Sequence, residues 1–101
     1  MQALDSHPAA DGVVDGRPTG YFVRFDGPVD HYRSRLFITR GGQVVGSLDP
    51  RLDSEPNVLF ARAPELEPGD YEFRWSVRSL RDGHVSDGFA SFAVRRAPGS
   101  K

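Results

Sequence analysis

An all-β sandwich of the Greek-key kind is the fold class this sequence predicts, and three observations predict it. Short runs of β-branched and aromatic residues recur along the 101 residues, about seven in all, at the spacing usual for sandwiches. Turn signals separate them: Asp11-Gly12, Asp15-Gly16, Asp26-Gly27-Pro28, Gly41-Gly42, Asp49-Pro50, Pro68-Gly69-Asp70, Asp82-Gly83 and Asp87-Gly88. Each of these supplies positive φ or a preset φ. Finally, 11 Gly and 8 Pro leave no segment that holds a helical period through three turns.

Taken in order, a short first strand is expected at residues 3–6 and a second at 20–25, Gly-Tyr-Phe-Val-Arg-Phe. Residues 35–39 and 43–48 read as a hairpin closed by Gly41-Gly42. The stretch to Pro56 is a longer connection of the kind a Greek key needs, and 57–63 is the next strand. Pro64 to Gly69 reads as a corner between sheets with Leu66 as its buried anchor. Residues 71–78 show the clearest pattern: Tyr71, Phe73, Trp75 and Val77 alternate with Glu72, Arg74, Ser76 and Arg78, the period of two of a strand with one buried face. A last strand is expected at 89–95. The predicted core is Phe25, Leu36, Ile38, Tyr71, Phe73, Trp75, Phe92 and Val94. Residues 1–95 are expected to form one domain, and the small, polar 96–101 a disordered tail or linker stub.

Bulk properties remove several classes of function. A formal net charge of −1 offers no general attraction to nucleic acid or to an anionic membrane. No run approaches the roughly 20 apolar residues of a membrane span, and Met1 does not open a signal peptide. Absence of cysteine removes disulfides, thiolate metal sites and cysteine nucleophiles, while leaving the compartment open. No nucleophile elbow or phosphate-cradling loop is present, so an enzyme is not expected.

The chemical lead lies in Asp82-Gly83-His84. If the backbone there is extended, residues two apart project to the same side, and a carboxylate and an imidazole can reach one ion. Against this stands the plainer reading that Asp-Gly is a turn dipeptide beside an exposed histidine. His7 reads as a surface residue at a strand end, and His31 as a solvated loop residue. Arg33, Arg35, Arg74 and Arg78 suggest a basic patch for an acidic partner, or simply a solvated sheet face interrupted by Glu72.

Four segments together resemble the CopC copper-resistance family. They are Ala3-Leu4-Asp5-Ser6-His7-Pro8-Ala9-Ala10-Asp11-Gly12, Val23-Arg24-Phe25-Asp26-Gly27-Pro28-Val29, Leu66-Glu67-Pro68-Gly69-Asp70-Tyr71-Glu72-Phe73-Arg74-Trp75, and Ser79 with Asp82-Gly83-His84, Gly88, Phe92 and Val94. Their order is similar to the family's throughout. The chain departs from it by one extra residue between Trp75 and Asp82, and by Val85 where the family often has Pro.

The resemblance implies an immunoglobulin-like or cupredoxin-like sandwich in the periplasm that binds Cu(II) for copper resistance and homeostasis. It also implies a monomer, with a membrane copper-transport protein or domain as partner. Members use the amine and imidazole of an N-terminal His with the Asp and His of a D-x-H loop, which here are Asp82 and His84. Gln2 stands where that terminal His is expected and has no imidazole. Gly27 replaces an assisting carboxylate, and Asp26, one position early, is expected to point away. Met1 is the only methionine, so no Cu(I) site is expected. Two readings stay open: a copper(II) carrier with a weakened or incomplete site, and a CopC-like sandwich that has lost metal binding and serves as an interaction or spacer module.

Overall fold

Eight strands form in the computed structural model, which describes residues 2–95. They are β1 (Ala3–His7), β2 (Gly12–Val14), β3 (Thr19–Phe25), β4 (Arg35–Arg40), β5 (Gln43–Leu48), β6 (Val58–Ala63), β7 (Gly69–Arg78) and β8 (Val85–Val94). Among the described residues there is no helix, and so none long and apolar enough to cross a membrane. The tail expected at 96–101 lies outside the described residues.

One sheet has the order β1-β3-β6 and the other β2-β8-β7-β4-β5. The hairpins β4–β5 and β7–β8 are antiparallel. The chain changes sheet on either side of β2, between β3 and β4, and on either side of β6, which is the Greek-key pattern. Gly41 and Gly42 both have positive φ, 60° and 83°, as the tight turn between β4 and β5 requires.

Every residue of the predicted core is buried, together with Tyr21, Val23, Val29, Leu59, Leu66 and Val77. Fully burying each large apolar side chain contributes about 1.5–3 kcal/mol. The aromatic rings meet edge to face, with Tyr21–Phe73 centroids 5.5 Å apart, Phe73–Trp75 5.7 Å and Phe25–Trp75 6.4 Å. That geometry matches the ring quadrupoles. At the corner, Leu66 N–H donates to Gly16 O at 2.8 Å, and Tyr71 OH donates to Glu67 O at 2.7 Å.

Two features of the fold differ from the sequence reading. About seven strands were expected, and the eighth is β2, three residues between the signals Asp11-Gly12 and Asp15-Gly16. It runs parallel to β8, with Gly12 beside Phe92 and Val14 beside Val94. Three residues are too short to show a period, and β2 exists because the edge of β8 is there to receive it. The final strand also begins at Val85 rather than at 89. Asp87-Gly88 is not a turn, because β8 pairs with β7 from Gly69↔Val94 to Arg78↔Val85 and Gly88 lies opposite Trp75.

Candidate metal centre

The connection from β7 to β8 is closed by its own backbone. Ser79 N–H donates to His84 O and Gly83 N–H to Ser79 O, both at 2.9 Å, and Leu80 N–H reaches Pro28 O at 3.1 Å. Gly83 turns the chain at φ +72°, where a side chain is disfavoured. Asp82 Oδ1 accepts the His84 N–H at 2.9 Å, an Asx turn. This replaces the extended backbone on which the i, i+2 expectation rested. The same N–H is the main reason the Asp82 carboxyl is held below its usual range, with the His84 charge and the Ser79 hydroxyl adding less and desolvation opposing.

Although the loop is turned, Asp82 and His84 line one open depression of about 240 Å³ together with Asp26, Gly27, Ser79 and Arg81. Asp26 was expected to point away, and the structure corrects this. Its Oδ1 accepts the Gln2 N–H at 3.1 Å, and its own N–H donates to Gln2 O at 3.0 Å. The register shift in β1 between Ala3 and Asp5 belongs to this end of the strand. The start of the described chain is thereby tied to a residue of the depression. Among the described residues, no three His, Asp or Glu side chains come close enough to hold one ion together.

The other histidines lie elsewhere. His7 ends β1 opposite Phe22, while Ala3 lies opposite Phe25. It is exposed, with its ring stacked on Phe22 at 6.4 Å and edge-on to Tyr21 at 6.2 Å. His31 is not the solvated residue that was expected. It is half-buried, and its Nε2 lies 2.8 Å from Val58 O and 3.1 Å from Glu55 O, so it donates to carbonyls and ties down the segment before β6.

Of the two readings of the arginines, the face interrupted by Glu72 is the one the Arg74–Glu72 pair fits. Arg74 Nη2 sits 2.7 Å from Glu72 Oε1, with its guanidinium 4.9 Å over the Phe89 ring. Arg74, then Thr39, holds the Glu72 carboxyl below its usual range. Arg78 turns to the loop instead, where Nη1 donates to Gly83 O at 3.0 Å. Sequence reasoning placed Arg78 on a solvated face and missed this bond. The one available signal was its position as the last residue of the strand that feeds the loop.

Fold and site together define a class: small β-sandwich domains presenting nitrogen and oxygen donors on a loop between the last two strands, next to the N-terminal strand. The chain belongs to the CopC family, whose domain is matched over residues 3–95, a family of copper-resistance proteins. Among solved structures it is similar to CopC from Methylosinus trichosporium OB3b, with 30% identity over 98% of this chain and 97% of that one and a TM-score of 0.82. It shares its fold with PcoC, a copper resistance protein from Escherichia coli, at 17% identity over 94% of this chain and 100% of that one, TM-score 0.68. An engineered protein shares the fold at 22% identity, covering 93% of this chain and 20% of that one, TM-score 0.68. No curated protein matches the sequence.

Proposed function

We propose that this chain is a periplasmic copper(II)-binding protein of the CopC type, acting in copper resistance and homeostasis, with Asp82 and His84 as ligands of a weakened site. The observation that carries this reading is that Asp82, His84 and Asp26 share one depression, to which the backbone of Gln2 is tied through Asp26. A carboxylate and an imidazole are donors that suit Cu(II), whereas the sequence has a single methionine and no methionine-rich loop to offer Cu(I) soft thioether donors.

Copper is cargo in this reading, the protein acts as a monomer and not as an enzyme, and a membrane copper-transport protein or domain is the receiving partner. The domain spans residues 1–95 in this reading, with 96–101 as a tail or linker stub. His84 supplies one imidazole nitrogen and Asp82 the carboxylate oxygen not engaged by His84 N–H. Gln2 supplies no imidazole, and that is what makes the site weak. The same gap favours the second reading, a CopC-like sandwich that no longer binds metal and serves as an interaction or spacer module.

Titration of Cu(II) against a competing chelator, read by electron paramagnetic resonance, separates the two. The carrier reading expects binding that falls roughly tenfold or more in His84→Ala, weakens as pH is lowered because imidazole coordinates only when unprotonated, and tightens in a variant whose mature chain starts with His in place of Gln2. Unchanged affinity in His84→Ala removes the loop from consideration. No gain from the terminal His favours the module.

A further inference from the structure

We propose that Arg78 is a positioning residue for the two loop donors, clamping together with Asp82 the single peptide plane that joins Gly83 to His84. The Gly83 carbonyl accepts from Arg78 Nη1 at 3.0 Å, and the amide on the other side of the same plane, His84 N–H, donates to Asp82 Oδ1 at 2.9 Å. This plane is one of the two that separate the proposed ligands, and it follows a glycine at φ +72°. Glycine places little steric limit on rotation of the peptide that follows it. The two side-chain bonds select one orientation, and that orientation sets where the His84 ring projects relative to the Asp82 carboxylate.

Arg78 is committed to this arrangement in two further ways. Its own N–H donates to Ser34 Oγ, a buried hydroxyl, at 3.0 Å, which fixes the stem of the side chain at the end of β7. Its Nε is buried and, among the described residues, has no hydrogen-bond partner. A buried donor without an acceptor is unfavourable, so a guanidinium serving only solubility has reason to swing out to water. The bond to Gly83 O holds it in.

The inference rests on the metal reading, and the test keeps the two apart. In Arg78→Met the stem is kept while both the clamp and the orphaned Nε are removed, so the melting temperature stays within a few degrees of the parent. Without copper, hydrogen exchange at the His84 amide rises roughly tenfold, because one end of its peptide plane is free. Cu(II) affinity falls roughly tenfold, the size of effect seen when an outer partner of a ligand is lost, and the paramagnetic resonance parameters of bound Cu(II) shift. Arg78→Lys, which keeps one donor in reach, recovers part of each change, and it carries the comparison if Arg78→Met does not fold.

Unchanged exchange at His84 in the copper-free variant overturns the clamp. Unchanged copper affinity in Arg78→Met, in a protein that loses copper with His84→Ala, overturns the positioning role and leaves the metal reading standing. Copper binding that survives His84→Ala overturns the metal reading, and the positioning role with it.

Discussion

Gly88→Ala places a methyl group under an aromatic ring that has nowhere to go. A Cβ at residue 88 lies 2.5 Å from Trp75 Nε1, 2.7 Å from Cε2 and 2.8 Å from Cζ2, against a comfortable separation of about 3.5–4.0 Å for carbon atoms. The indole has to retreat by about 1 Å, but it is 8% exposed and packed edge-on against Phe25 and Phe73. Overpacking of this kind costs about 1–3 kcal/mol. The φ at Gly88 is not positive, so alanine also stiffens the unfolded chain, an opposing gain of about 0.4–1 kcal/mol. The net expectation is a loss of about 1–2 kcal/mol, or a fall of roughly 4–16 °C in melting temperature for a domain of this size. Urea unfolding followed by far-ultraviolet circular dichroism measures the loss in every background, and in the Trp75 proteins the fluorescence of this only tryptophan senses the displaced ring directly. Trp75→Phe is the control, because a smaller ring makes room and shrinks the penalty of the alanine. Equal or greater stability of Gly88→Ala, or the same penalty in the Trp75→Phe background, refutes the reasoning.

Two expectations concern pH. Asp82 is held below its ordinary value of 3.8 chiefly by the His84 N–H, so the folded state favours the carboxylate. The stabilisation is present above the unfolded value and is lost as pH falls through the folded one. Asp82→Asn therefore has a shallower loss of stability below about pH 4, and equal acid slopes in the two proteins count against the Asx turn. Tyr21 runs the other way: burial, then Asp15 and Tyr71, push its phenol from 10.0 up to about 12. Its contribution is intact below 10.0 and is lost as pH rises through about 12. Tyr21→Phe should flatten the alkaline part of the stability profile and remove a late-ionising component from the parent's phenolate absorbance; an absorbance profile that loses no late component in Tyr21→Phe refutes the assignment.

The fold was legible where one strand buries one face, and the candidate site only where its candidate donors share a loop. Alternation from Tyr71 to Val77 announces a half-buried strand without any knowledge of its neighbours. β2 has no such signature, because Gly12-Val13-Val14 becomes a strand only through the partner it meets on β8. Asp82 and His84 stood out because their spacing is local. Asp26 did not, since its direction is set by the Gln2 N–H that its Oδ1 accepts, beside the backbone bond from its own N–H to Gln2 O. Alternation put Arg78 on the outer face with Glu72 and Arg74, and no pattern within a strand can tell that the following loop folds back to offer Gly83 O as an acceptor. His31 was misread for the same reason, as the carbonyls it meets belong to residues 55 and 58.

The pairing of β2 with β8 bears on the order in which the molecule is assembled. β1 joins one sheet and β2 the other, so the first stretch of the chain straddles both halves of the sandwich. Its second attachment is to β8, the last of the eight strands. The receiving edge for Gly12–Val14 is therefore made only after the seven strands before it, and contacts between segments so far apart in sequence are slow to form. Gln2 and Asp26 can meet early, since β1 needs only β3, but the loop of Asp82 and His84 exists only once β7 and β8 have paired. The mouth of the depression is thus among the later parts of the sandwich to take shape, and in a nascent chain halted before β8 the segment carrying Asp82 and His84 has no second strand to close it into a loop.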